Sequence, residues 1–333
     1  KGGTIERIIK DGNRFVLGVE YSGAVPSYKF YDPDVDAAVS GMVNQFSTAS
    51  VNLVSWTDDW SKLLYLIYGS DTPGSYVLQD RETGQMMLVA DERDNIPPDA
   101  VGQMVSVNYK ARDGLNIPSI LTWPAGVDIE TASKLPLVVM PHGGPESYDA
   151  VGFDWMAQYF ANRGYLVLQP NFRGSSGYGT EHRILGKGEW GGKMQDDITD
   201  GVKHLIAEGI VDAGRVGIYG ASYGGYATMA GLCFTPELYR CGINYVGVTD
   251  IDLILKEYPL PKKIKDAIDA VMIADRKKDR DWIKSRSIQN NIDKVRAPVL
   301  MAYGMKDWRV PPKHGRILKR ALDRNNIPNK LII

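Results

Sequence analysis

The chain is short of cysteine, net charge, histidine and long apolar runs, and each shortage removes a class of protein. Cys233 and Cys241 are the only cysteines among 333 residues. Two are too few for a disulfide framework, and they lack the further ligands of a zinc site, so they read as separate buried or half-buried thiols. Lys plus Arg (39) nearly cancels Asp plus Glu (40), and no global field draws the chain to nucleic acid or anionic lipid. No apolar run approaches the roughly 18 residues that span a bilayer. The first residue is Lys1 and no signal-peptide pattern follows, which leaves the compartment open between cytoplasm, periplasm and exterior. What is present, 44% hydrophobic and 24% charged residues, is the balance of a water-soluble globular chain, of about two domains by length.

Two periodicities divide it. Residues 1–98 carry short β-prone runs (Arg14 to Val19, Lys62 to Tyr68, Ser75 to Leu78, Gln85 to Val89) between Asp-Gly, Pro-Gly and Thr-Gly turn signals, which predicts an all-β segment. Ser55 to Trp60, two strands and the turn Asp80 to Gly84 resemble one blade of a β-propeller. At about 40 to 45 residues per blade the segment holds about two. Residues 99–333 alternate instead: Leu137 to Met140, Tyr165 to Leu168, Val216 to Tyr219, Asn244 to Val248 and Val299 to Tyr303 are apolar runs of buried parallel-strand type, and Met194, Ile198, Val202, Leu205 and Ile206 fall at helical spacing. The fold class is therefore α/β, a mostly parallel sheet with helices on both faces, whose catalytic groups emerge at the carboxyl ends of strands.

Chemistry concentrates at those ends. Ser222 sits in Gly220-Ala221-Ser222-Tyr223-Gly224, after the run Val216 to Tyr219 and before the helix-like Tyr226 to Ala230. That is the strand, small-flanked serine and helix of a nucleophile elbow. A serine capping the next helix is the plainer alternative. His142-Gly143-Gly144-Pro145 follows the strand ending at Met140, where an α/β-hydrolase places its second oxyanion donor. The hole is therefore assigned to the backbone N–H groups of Gly144 and Tyr223, with His142 holding the loop rather than taking protons. The acid that orients the base should follow the nucleophile in sequence, and Asp307, in a turn after an apolar strand, fits; Asp250 is second choice.

The base is not evident. Of His142, His182, His204 and His314 none follows a strand beyond Asp307, and Lys330 to Ile333 begin a new apolar strand, so the base is expected beyond Ile333. His314 reads as first-turn residue of an amphipathic helix, and Asp200 with His204, four apart, as a solvated ion pair rather than metal ligands.

Five collinear motifs carry a resemblance: His142 to Pro145, Asn171 to Gly179, Gly188 to Gly191, Gly220 to Tyr226 and Asp307 to Pro311. With them residues 99–333 resemble the catalytic domain of the prolyl oligopeptidase family of serine peptidases, closest to its acylaminoacyl-peptidase and dipeptidyl-peptidase-like branch. The resemblance implies Ser222 as nucleophile, Asp307 as orienting acid, Gly144 and Tyr223 as oxyanion donors, Arg309 binding a substrate carbonyl, and Arg173 fixing a loop. It also implies that residues 1–98 are the last one or two blades of an N-terminal propeller and that the hydrolase domain is C-terminally incomplete. The expectation is a serine peptidase hydrolysing short peptides through an acyl-enzyme, with no metal or organic cofactor, no nucleic-acid or membrane partner, and homo-oligomerisation compatible with it. The alternatives are a small-acyl esterase of the same fold and a non-catalytic binding module.

Overall fold

Asp32-Pro33 starts the first helix, in a region whose turns and short apolar runs predict strands only. The Asp32 carboxylate accepts from the N–H groups of Asp34 and Val35, Pro33 takes the position where a missing N–H is harmless, and Asp34 and Asp36 lie in the first turn. Val35, Val39 and Met42 then recur at helical spacing and are buried. The expectation of an all-β segment is corrected by this 13-residue helix.

The protein is seen here as a computed structural model that describes residues 4–46, 49–69, 72–257, 261 and 272–333. Strands β1 (Ile5–Lys10), β2 (Val16–Tyr21) and β3 (Ser27–Phe30) form an antiparallel sheet, followed by α1 (Pro33–Gln45). Next come β4 (Ser50–Trp56), β5 (Lys62–Gly69), β6 (Thr72–Asp80) and β7 (Met86–Asp91), a four-stranded antiparallel meander in sequence order. Leu63, Tyr65 and Ile67 alternate inward along β5 and share one apolar cluster with Val35, Val39 and Met42 of α1.

The remaining elements are β8 (Met104–Lys110), β9 (Asn116–Thr122), β10 (Leu135–Val139), α2 (Trp155–Ala161), β11 (Leu166–Pro170), α3 (Thr180–Ile184), α4 (Lys193–Ala207), β12 (Val211–Ala221), α5 (Tyr223–Phe234), β13 (Cys241–Tyr245), α6 (Ile251–Glu257), α7 (Arg280–Arg286), β14 (Val299–Ala302), α8 (Lys313–Arg324) and β15 (Asn329–Ile332). Eight strands make one sheet in the order β15-β14-β13-β12-β10-β11-β9-β8. From β15 to β11 every pairing is parallel, and β9 alone runs against its neighbours. The mostly parallel sheet read from the apolar runs is thus present. β13 lies at Cys241–Tyr245, three residues before the run singled out for it, because Val246 takes a left-handed φ of 43° and ends the strand.

α5 is buried on every side from Tyr223 to Cys233, as expected for a helix apolar all round. Together with Met194, Ile198 and Val202 of α4 it joins the large cluster that fills the sheet's interior face. Among the described residues no helix is long and apolar enough to cross a membrane. Cys233 is buried and Cys241 exposed, and both are free thiols.

Candidate active site

The turn at Ser222 is forced by contacts that only glycines allow. A Cβ on Gly220 would stand 2.2 Å from the Gly224 carbonyl oxygen, and one on Gly224 would stand 2.1 Å from that of Pro141. The strand can therefore double back into α5 only with glycine at both places. Ser222 itself has φ 57° and ψ −116°, a conformation that costs a non-glycine residue about 1–3 kcal/mol. Its N–H donates to the Tyr245 carbonyl, and its own carbonyl accepts from Tyr226 at 3.1 Å. Its hydroxyl caps nothing at the helix start, which removes the plain helix-cap account of this serine.

The His142–Pro145 loop runs directly against that turn. A Cβ on Gly143 would lie 3.5 Å from Ser222 Cβ and 3.2 Å from the Ala221 carbonyl oxygen. Tyr223 is the first residue of α5, where a helix leaves its N–H without an internal partner. Gly144, Ser222, Tyr223 and Arg309 all line one cavity of ≈ 490 Å³. Its apolar wall includes Trp190, Val248, Ile254, Met272, Ile273 and Val310.

Asp307 occupies the turn after β14 and is half-buried. One oxygen, Oδ1, accepts from the N–H groups of Arg309 at 2.9 Å and Val310 at 3.0 Å. Its Oδ2 has no hydrogen-bond partner among the described residues. Arg309 carries its guanidinium over the Trp308 ring, 5.2 Å from the centroid, and pairs with no carboxylate among the described residues. Asp250, the second candidate acid, is committed elsewhere: it accepts from the Leu253 N–H in α6 and from the Gln289 amide at 2.5 Å.

All four histidines lie within the described residues; three are held by polar contacts to their surroundings and His204 is exposed. His142 Nδ1 lies 2.8 Å from the Gly143 carbonyl oxygen and Nε2 lies 2.8 Å from Ser175 Oγ, whose one hydrogen is given to the Phe172 carbonyl at 2.6 Å. Burial lowers this imidazole to about 4, so it stays neutral at neutral pH. His182 Nε2 faces the carbonyls of Asn171 and Phe172, and His204 stacks on Tyr109. The ion pair expected between Asp200 and His204 is not formed. Asp200 instead takes a forked contact from Arg112, whose planar guanidinium suits a carboxylate better than an imidazole does.

His314, in the first turn of α8 as its spacing predicts, is fully buried. Its Nδ1 accepts from the Thr249 N–H at 3.2 Å and its Nε2 has no partner among the described residues. Burial lowers its pKa to about 4. The unfolded chain then binds a proton near 6.5 that the folded chain refuses until about 4, so this contribution to stability is complete above pH 6.5 and lost as pH falls toward 4. One proton is worth about 1.4 kcal/mol per pH unit over that window. His314→Asn keeps an acceptor for Thr249 but cannot titrate. Urea midpoints measured from pH 7 to 4 should fall less steeply for it than for the wild type.

A glycine-hinged serine at a strand-to-helix junction in a mostly parallel sheet, with a glycine-rich loop against it, defines an α/β-hydrolase. The chain belongs to the prolyl oligopeptidase family, whose model matches residues 151–333. It is 31% identical to dipeptidyl aminopeptidase BIII of Pseudoxanthomonas mexicana, covering 90% of this chain and 44% of that protein. It is 30% identical to the acylamino-acid-releasing enzyme of Homo sapiens over 66% of this chain and 30% of that one. The chain spans less than half the length of these curated relatives. Among solved structures, a puromycin-hydrolyzing peptidase of Mycobacterium tuberculosis superposes with TM-score 0.79 at 22% identity, over 99% of this chain and 49% of that one. An acylaminoacyl peptidase of Pyrococcus horikoshii gives 0.77 at 21%, over 100% and 51%. At those identities the likeness is one of fold.

Proposed function

We propose that the chain is the catalytic part of a serine peptidase that hydrolyses short peptides through an acyl-enzyme. The observation that carries this reading is the held-out backbone of Ser222 beside the Gly143–Gly144 loop, at the mouth of an apolar-walled cavity. Ser222 Oγ attacks the substrate carbonyl, and the N–H groups of Gly144 and Tyr223 receive the negative charge that develops on its oxygen. Asp307 orients the base through Oδ2, its one uncommitted oxygen. That base is a histidine other than the four in this chain: His142, His182 and His314 are engaged by their own surroundings, and His204 lies exposed on α4 against Tyr109. The apolar wall takes an apolar group of the peptide, in a cavity that Glu146, Arg183 and Lys187 also line, and Arg309 donates to a substrate carbonyl.

Residues 1–98 fit this reading as the last one or two blades of a propeller, since β4 to β7 form the four-stranded antiparallel meander of which blades are made. Residues 99–333 would be the hydrolase domain, its sheet opening at Met104.

The test uses the full-length protein with N-acylated peptides, dipeptidyl chromogenic substrates and small acyl esters. Higher kcat/KM on peptides supports the peptidase; higher kcat/KM on the esters makes it an esterase. The engaged histidines also favour a second reading, a non-catalytic binding module, for which a fluorophosphonate should leave Ser222 unmodified. Arg309→Ala removes a charged donor that contributes about 1.5–3 kcal/mol when it bonds its acceptor. It should lower kcat/KM for peptides by about 10- to 100-fold and for small esters far less.

A further inference from the structure

The 142–149 loop is held at three points by one other segment, the 171–177 stretch that follows β11. Asn171 is fully buried. Its Oδ1 accepts the Asp149 N–H at 2.7 Å while its Nδ2 donates to the Asp149 carbonyl at 2.9 Å, so one amide side chain pairs both polar groups of a single backbone residue. The same Nδ2 lies 3.1 Å from the Tyr178 hydroxyl. In the middle of the loop, the Ser147 carbonyl accepts from the Ser176 N–H at 3.0 Å. At its start, the His142 ring stacks on Phe172 with centroids 4.4 Å apart and its Nε2 lies 2.8 Å from Ser175 Oγ, which itself donates to the Phe172 carbonyl.

The clamp is itself anchored. The Asn171 N–H donates to the Pro118 carbonyl in β9 and His182 meets the carbonyls of Asn171 and Phe172. Gly144 lies between the clamped points, and a Cβ there would stand 2.7 Å from the Glu146 nitrogen and 3.0 Å from that of Ser147. The peptide that bears the Gly144 N–H has its carbonyl, that of Gly143, 2.8 Å from His142 Nδ1, and the His142 ring is in turn held by Phe172 and Ser175, so the 171–177 segment sets where the Gly144 N–H points.

We infer that Asn171 and Ser175 are positioning residues that aim the Gly144 N–H at the oxyanion. The inference rests on the reading of Gly144 as an oxyanion donor. An oxyanion donor is worth about 10²–10³ in kcat when removed outright, and a donor displaced by about 1 Å loses much of that.

The experiment compares full-length wild type with Asn171→Ala, Asn171→Asp and Ser175→Ala. Each is assayed for kcat, KM, affinity for the hydrolysis-product peptide, and affinity for a peptide boronate that forms a tetrahedral adduct on the serine. The expected result is a fall in kcat of about 10- to 100-fold for Asn171→Ala, with a parallel loss of boronate affinity and with KM and product affinity within about two-fold. Ser175→Ala, which removes one hydroxyl and leaves the backbone contacts, should show the same pattern at smaller size and keeps the test alive should Asn171→Ala fail to fold. Folded variants with wild-type kcat overturn the inference, as do variants that lose product and boronate affinity equally. A wild type that neither turns over nor reacts at Ser222 overturns the peptidase reading instead, so the two failures are distinguishable.

Discussion

Ser222→Ala in the full-length protein should lower kcat/KM on peptides by about 10⁴-fold or more, the scale at which loss of a serine nucleophile is felt when the rest of the site remains. Fluorophosphonate labelling should disappear with it. Undiminished turnover would remove Ser222 from the mechanism. The same position should show the cost of holding it. Alanine retains the left-handed φ of 57° and should leave stability near wild type. Ser222→Gly releases a strain of about 1–3 kcal/mol against an entropic penalty of about 0.5–1 kcal/mol for glycine. Denaturation should therefore find the inactive glycine variant about 1 kcal/mol more stable than the active protein. A glycine variant less stable than the alanine one would show that the turn is not strained.

What could be read from the sequence was what is encoded locally. The spacing of Gly220, Ser222 and Gly224 marks a turn because the steric demand lies within five residues, and the apolar runs at β10, β11, β12 and β14 mark strands because each is a short apolar stretch, buried on both faces at β11 and on one at β14. The helix α1 was equally local, with Asp32 and Pro33 at its start, but the strand pattern on either side outweighed it. The two hairpin strands β8 and β9 that open the main sheet carry mixed polarity, and no single run announces them. Long-range pairings left no mark. Nothing in Asn171 foretells its two bonds to Asp149, and the placement of Asp200 four residues before His204 suggested a pair that Arg112, 88 positions away, takes over. The engagement of His142 with Ser175 was foreseen only in kind, as a loop-holding histidine, because its partner is set by tertiary contact.

The largest effect on stability is expected at Arg173, the residue read as a loop-fixing element. Its guanidinium makes a forked contact with Asp197, Nε to Oδ2 at 2.8 Å and Nη2 to Oδ1 at 2.7 Å, and Asp197 Oδ2 also accepts the Arg173 N–H. A second fork reaches Asp113 at 2.8 and 2.9 Å. The Asp197 side chain is fully buried and that of Arg173 is 4% exposed, whereas that of Asp113 is 38% exposed. The two aspartates should therefore differ sharply. Asp197→Ala leaves the buried guanidinium to Asp113 alone, with the Arg173 Nε and backbone N–H unpaired, and should cost about 3–5 kcal/mol, read as a lowered denaturation midpoint. Asp113→Ala removes a partly solvated partner and should cost about 1 kcal/mol or less. The double replacement Arg173→Met with Asp197→Leu should recover most of the loss, because desolvating an ion pair offsets much of its attraction and an apolar pair of similar volume avoids both. If Asp197→Ala and the double variant are equally unstable, the pair contributes through packing rather than charge. Because Arg173 opens the turn that includes Ser175 and Ser176, the double variant also separates fold from chemistry: a stable protein with reduced kcat would show that the ion pair holds the 171–177 segment in place beneath the 142–149 loop.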